Sequence, residues 1–331
     1  MKIAIAGAGS IGSVIAAYLA RAGHDVSLRV RGPHLQAIRE HGLTAISRGE
    51  RLHSRPTASD DAAALGQHDL VIVTAKAHSL AALAPAVALL RGPGAPVIAA
   101  QNGIPRWYFH GQPLEGAGAA LSNRPFERVD PDGTAWRIIR PEHTIGCVIN
   151  IPAEVTEPGT VEHSGVLRLT LGAPDVKAPP SGMSEAAEAL TAAGIETSIT
   201  DQIRRAIWIK LQVNMSVGPC AVLTGATSGQ ARASEGMIPL LGAMMREAHA
   251  VAAALGVDIP HEASDWLARG GGNDGHKPSI LQDFEAGRPL EADAMVGAVV
   301  DLAGLTGVVV PLTEAMLTLL RLKITRRDAA A

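Results

Sequence analysis

The chain is poor in the residues on which small secreted scaffolds and nucleic-acid-binding proteins depend. Aromatic side chains make up 3% of it, and cysteine occurs only as Cys147 and Cys220. Two cysteines so far apart, with no metal-ligand spacing around them, exclude a disulfide framework and a zinc site, and they read as packed thiols. Neither sign of charge dominates, since 29 Lys and Arg stand against 32 Asp and Glu for a formal net charge of -3. A chain without a broad positive field has little to offer a phosphate backbone, so nucleic acid is not expected as a partner. Apolar runs such as Ala294 to Val300 end at a charge or a proline, well short of the ~20 residues that a membrane helix needs. The opening stretch Lys2 to Ala20 has the polarity of a signal peptide, but Gly7, Gly9, Ser10, Gly12 and Ser13 interrupt it and a β-like segment, Val26 to Val30, follows at once. A cytoplasmic protein without a membrane anchor is expected.

What is present is apolar content, 47% over 331 residues, enough for two packed domains. Lys2 to Ala6, Val26 to Val30, Asp69 to Thr74 and Ala95 to Ala100 read as strands. Ser13 to Arg21 and Ser79 to Leu90 read as helices between them. This alternation predicts a parallel sheet with covered faces. Ile145 to Asn150 and Val166 to Leu171 read as further strands of the same sheet, around a turn at Glu157-Pro158-Gly159. After a helix over Met183 to Ala193 and a strand near Glu196 to Ile199 the pattern becomes helical, with candidates at Asp201 to Val217, Pro239 to Leu255, Leu290 to Leu305 and Pro311 to Leu322. The expected domains are 1–199 and 200–331. A mobile loop is expected over Arg269 to Gly275, which holds four glycines.

Gly7-Ala8-Gly9-Ser10-Ile11-Gly12 matches G-x-G-x-x-G, and its placement after a strand and at the opening of a helix makes the match specific. Gly7, Gly9 and Gly12 allow a tight turn and close approach of pyrophosphate, and the N-terminus of the helix that the motif opens, with Ser10 and Ile11 of the motif, supplies backbone donors to the phosphates. An acidic residue at the end of the second strand would bind a ribose 2′-hydroxyl. The segment instead reads Leu28-Arg29-Val30-Arg31-Gly32, and the Arg31 guanidinium suits a 2′-phosphate, so NADP(H) is the expected cofactor.

Several patches together carry a resemblance to the ketopantoate reductase (2-dehydropantoate 2-reductase) family. They are the glycine motif, Arg31-Gly32, Thr74-Ala75-Lys76, Gln101-Asn102-Gly103, Lys210-Leu211-Gln212-Val213-Asn214, and Ser279-Ile280-Leu281-Gln282-Asp283 followed by Glu291. The resemblance implies an α/β fold in which an N-terminal Rossmann doubly wound sheet precedes a C-terminal all-helical domain like that of 6-phosphogluconate dehydrogenase. It implies NADPH-dependent reduction of a 2-oxo acid, 2-dehydropantoate first, to the 2-hydroxy acid. A ketone accepting hydride develops negative charge on oxygen and needs a cationic proton donor, and Lys210, in an otherwise apolar helical stretch, is that candidate. Glu291 matches the acid that approaches the catalytic lysine and the cofactor. Asn102 matches the asparagine near nicotinamide and substrate, and Lys76 the active-site lysine near both. Asn214, four residues after Lys210 and so on its helix face, and Ser279 match residues that bind the substrate.

Two features depart from the simplest form of this reading. Gly218 stands where the family commonly has a further asparagine, and Trp107, Tyr108 and Phe109 are expected beside the site, more aromatic surface than a small hydroxy acid requires. The alternatives are a reductase of a bulkier ketone, a D-2-hydroxy-acid dehydrogenase of the same family, and a non-catalytic NADP(H)-binding regulator. No metal is expected, and the helical domain is the candidate surface for a homodimer.

Overall fold

The computed structural model describes residues 1–112, 121–259, 275 and 277–330; most of the expected loop from Arg269 lies outside them. Strands are β1 Lys2–Ala6, β2 Asp25–Arg29, β3 Leu43–Ser47, β4 Glu50–Ser54, β5 Thr57–Ser59, β6 Leu70–Val73, β7 Val97–Ala100, β8 Thr144–Asn150, β9 Ala153–Glu157, β10 Thr160–His163, β11 Arg168–Gly172 and β12 Glu196–Ile199. Helices are α1 Ser10–Arg21, α2 Gly32–His41, α3 Leu80–Leu90, α4 Thr134–Ile138, α5 Met183–Ala192, α6 Ile203–Thr224, α7 Ser228–Ala233, α8 Met237–Ala254, α9 Ser279–Glu285, α10 Ala298–Thr306 and α11 Pro311–Asp328.

The chain divides into two compact units. The first comprises Met1–Gln101, Arg106–Gln112 and Asn123–Ile203, and the second is built chiefly from Asn102–Pro105 and Arg204 onward. The chain thus passes from one to the other inside the first turn of α6, and a short piece of the loop after β7 belongs with the helices.

Unit 1 holds an eight-stranded sheet in the order β12-β11-β8-β7-β6-β1-β2-β5. From β8 to β5 all neighbours are parallel, with β1 between β2 and β6, and β11 is antiparallel to β8. Ile3, Ile5, Leu70, Ile72 and Ile98 are fully buried, as unbroken apolar strands covered on both faces must be. As expected, Ile145 to Asn150 and Val166 to Leu171 fall in strands of this sheet, β8 and β11. The turn at Glu157-Pro158-Gly159 joins two further strands, β9 and β10, and β10 pairs with β3 in a second sheet ordered β4-β3-β10-β9. Helix α1 contacts strands of both sheets, which explains why Val14 to Leu19 is buried around the whole helix. A buried polar chain ties these layers: Tyr18 Oη lies 2.7 Å from Ser47 Oγ, Ser47 Oγ 2.8 Å from His163 Nδ1, and His163 Nε2 3.0 Å from the Val166 carbonyl.

Trp107, Tyr108 and Phe109 do not line an open site. They are core residues of unit 1, at most 1% exposed, with edge-to-face contacts from Phe109 to Tyr108 and Phe126 and with the Trp107 ring against Gly146. Beside them the Arg106 guanidinium is fully buried, donating to the Ile139 carbonyl at 2.6 Å and to Thr144 Oγ1 at 2.9 Å. Desolvation lowers its pKa to about 10, opposed by the charge of Asp130.

Unit 2 is helical in all the secondary structure described. Helix α6 continues through Gly218-Pro219, where the sequence predicts a stop at Val217, because Met215, Ser216, Val217, Cys220, Ala221 and Val222 are all buried and their packing outweighs the local break. By length and composition α6 could cross a membrane, but 67% of its most apolar window is buried within the protein. Burial pushes the Cys220 thiol up to about 11, as expected of a packed, inert cysteine. Helix α11 opens with Pro311 and is capped by the Glu247 carboxylate, which accepts from the amides of Leu312 and Thr313 at 2.9 and 2.8 Å.

Candidate active site

In unit 1 the loop after β1 has the form of a phosphate cradle. Gly7 adopts φ +91°, and a Cβ there would lie 2.7 Å from that of Ala75, so a side chain is excluded both by backbone and by space. A Cβ on Gly12 would collide with Thr74 Oγ1 and come within 2.9 Å of Ile5, which fixes the close packing of helix and sheet. Gly9 instead faces open space, its nearest neighbour being the Gly7 carbonyl at 4.0 Å. The loop is held from both sides, by donation from Gly7 N and Ala8 N to the Arg29 carbonyl at 3.0 and 3.3 Å and from Thr74 Oγ1 to the Gly7 carbonyl at 2.9 Å. Helix α1 has no side-chain cap and no acid in its first turn. The amides of Ser10 and Ile11 are therefore presented to an anion rather than to a capping oxygen, and the residues present fit a dinucleotide pyrophosphate.

Arg31 is the N-cap of α2, with an exposed side chain just past the end of β2. His34 holds this corner: its Nδ1 accepts from Gly159 N at 2.9 Å, which leaves Nε2 to donate to Ser13 Oγ at 3.1 Å. Burial pushes the His34 pKa down. Lys76 follows β6 and is half-buried.

In unit 2 three of the expected residues are joined in one chain. Lys210 Nζ donates to Asn102 Oδ1 at 2.8 Å, and Asn102 Nδ2 donates to Glu291 Oε2 at 3.3 Å. The two charges fix the amide, since an ammonium offers only donors and a carboxylate only acceptors. Lys210 comes from the middle of α6, Asn102 from the loop after β7, and Glu291 from just before the helical segment that leads into α10. Glu291 is 9% exposed, and a carboxylate so buried needs a cation coupled to it. The arrangement can hold a proton on Nζ and maintain its direction.

The other expected residues are placed less decisively. Asn214 lies one turn beyond Lys210 and is half-buried, while Ser279 is the exposed first residue of α9. Gly218, a further turn along α6, is buried, and a Cβ there would lie 2.9 Å from Ile280 Cγ2. Ile280 thus occupies the space that a longer side chain at 218 would need. Contributions that the sequence did not single out are those of Thr74, His34 and the backbone around Ala294, described below; each acts through a tertiary contact with no local signature.

A Rossmann sheet with a glycine-loop cradle, together with a lysine–amide–carboxylate chain in a helical unit, defines a nicotinamide-dependent oxidoreductase. Comparison with known proteins places it more narrowly. The family model described as ketopantoate reductase PanE/ApbA matches residues 3–175, and that for the C-terminal part of the same family matches 202–324. A 2-dehydropantoate 2-reductase of Mesorhizobium japonicum is 41% identical over 97% of each chain. The crystal structure of a PanE/ApbA family ketopantoate reductase from Ralstonia eutropha superposes with a TM-score of 0.83 at 27% identity, over 99% of this chain and all of that one. A D-mandelate dehydrogenase in ternary complex with NADH shares the fold, with a TM-score of 0.81 at 21% identity. The chain belongs to the ketopantoate reductase family of NADP-dependent oxidoreductases.

Proposed function

We propose that the protein reduces 2-dehydropantoate to pantoate in cytoplasmic pantothenate biosynthesis, with Lys210 as the proton donor. The observation that carries this reading is the chain Lys210–Asn102–Glu291. Bound NADPH supplies a hydride to the substrate's C2 carbonyl carbon. The protein's part is to manage the charge that arises on the carbonyl oxygen: Lys210 Nζ gives that oxygen a proton as the hydride arrives, so the product leaves as the neutral alcohol. Asn102 aims the ammonium, and Glu291 balances its charge. Asn214 and Ser279 are assigned to the substrate's hydroxyl and carboxylate groups, Lys76 to substrate and cofactor, and Arg31 to the cofactor 2′-phosphate. Committed to the core, the aromatic residues no longer favour a bulkier substrate, and Gly218, packed beside Ile280, remains as the departure from the family pattern. The exposed Val309, Leu312, Leu319 and Leu322, at 80, 36, 51 and 58% exposure, support a homodimer through the helical unit.

The test is NADPH consumption, followed by absorbance, with 2-dehydropantoate and a panel of other 2-oxo acids. Turnover should be highest with 2-dehydropantoate. Lys210→Ala should lose ~10²–10⁴-fold in kcat, the usual contribution of general acid catalysis, while still binding NADPH. Undiminished turnover in folded Lys210→Ala refutes the assignment.

A further inference from the structure

We propose that Gly103 and the π-helical turn Asp293–Gly297 form a clamp that positions the Asn102 amide between Lys210 and Glu291. The inference rests on the reading of that chain as the catalytic one. The two charges set which way the Asn102 amide faces, but they do not set the path of the loop that carries it, which needs a backbone contact of its own.

Helical structure begins around Glu291 in α register, with Met295 N donating to the Glu291 carbonyl at 3.1 Å. The register then widens, and the amide of Ala298 bonds the Asp293 carbonyl, five residues back. In an α-helix the same amide would bond Ala294. The π turn therefore takes away the normal partner of the Ala294 carbonyl and frees it to bond elsewhere. It accepts from Ile104 N at 2.8 Å, and Ile104 is fully buried.

Gly103 makes this approach feasible. It has φ +84°, and a Cβ on it would overlap the Ala294 carbonyl oxygen and lie 2.6 Å from the carbonyl carbon. Any side chain there must separate the two backbones. The loop and the helix are thus joined at two places, by Asn102 to Glu291 through side chains and by Ile104 to Ala294 through backbone, with Gly103 between them. The backbone bond fixes the path of the loop, and the path fixes where the Asn102 amide can reach. Gly103 and Ala294 are positioning residues: they act on the reaction through Asn102.

The experiment is a double-mutant cycle in the full-length enzyme, with kcat, NADPH affinity and circular dichroism measured for Gly103→Ala, Asn102→Ala and the double variant. Gly103→Ala should lose about 10²-fold in kcat, the scale of an ångström-level misplacement, with NADPH affinity unchanged to within about twofold. In the Asn102→Ala background the same change should cost less than about twofold, because the residue through which it acts is gone. Deletion of Asp293, which returns the turn to α register, provides a second perturbation and should lower kcat with the fold retained. Normal kcat in both folded variants, or losses that simply multiply in the double variant, overturns the clamp. Lys210→Ala measured alongside separates the two ideas. An active Lys210→Ala refutes the catalytic reading, whereas an inactive one beside an active Gly103→Ala refutes the clamp alone.

Discussion

Replacing Ser47 by Ala tests how helix α1 is held to the second sheet of unit 1. His163 Nε2 faces the Val166 carbonyl at 3.0 Å, so it carries the hydrogen and Nδ1 is the acceptor. Ser47 must then donate to Nδ1 and accept from Tyr18 Oη, which orders the whole chain in one direction. All three residues are buried, at 6, 1 and 2% exposure for Tyr18, Ser47 and His163. Ser47→Ala leaves one buried donor and one buried acceptor without partners. Each costs about 1–3 kcal/mol, so a loss of ~2–6 kcal/mol is expected. Set against a total stability of about 5–15 kcal/mol, that is a large fraction. Tyr18→Phe keeps the Ser47–His163 bond and should cost only ~1 kcal/mol. Adding Ser47→Ala to Tyr18→Phe should then cost less than it does alone, because the orphaned phenol is absent. Guanidinium denaturation followed by tryptophan fluorescence measures the cycle, with kcat in native buffer as a control that should not change. A Ser47→Ala loss under about 0.5 kcal/mol, or strictly additive variants, would refute the assigned hydrogen-bond directions.

The expected 2′-phosphate contact predicts that Arg31→Ala weakens NADPH binding by about 10–100-fold, the worth of a charge-assisted bond, and leaves NADH nearly unaffected; fluorescence titration of both dinucleotides decides it, and an unchanged preference rejects Arg31. His34 is held neutral by burial, with a pKa below 6.5 in the folded state. As pH falls past that value the unfolded chain takes up the proton first, so stability is lost as pH drops. Melting temperature from pH 7.5 to pH 5 should fall, and less steeply for His34→Gln; His24, His68 and His143, also pushed down mainly by burial, supply the remaining slope. Identical slopes would exclude His34.

The Rossmann half was legible in the sequence because its decisive signals are contiguous. Lys2 to Ala6, the glycine motif and the start of α1 follow one another directly, and each glycine's role is set by atoms of its own loop and adjoining strands. Lys210 is picked out by the resemblance of Lys210-Leu211-Gln212-Val213-Asn214 to the family, since a lysine in an apolar helical run by itself reads equally as a snorkelling surface residue. What the sequence could not supply were pairings between distant segments. The second sheet depends on β10 lying parallel to β3, with Thr160 opposite Thr44, a long-range pairing that no local pattern announces. The aromatic run after Ile104 read as pocket lining because side-chain type does not reveal which side of a wall it faces. Burial in unit 1 decided that. The π turn has no sequence mark either, since one extra residue in a helical turn leaves the apolar pattern almost intact; only the carbonyl of Ala294, bonded to Ile104 rather than to its own helix, shows where the register changes.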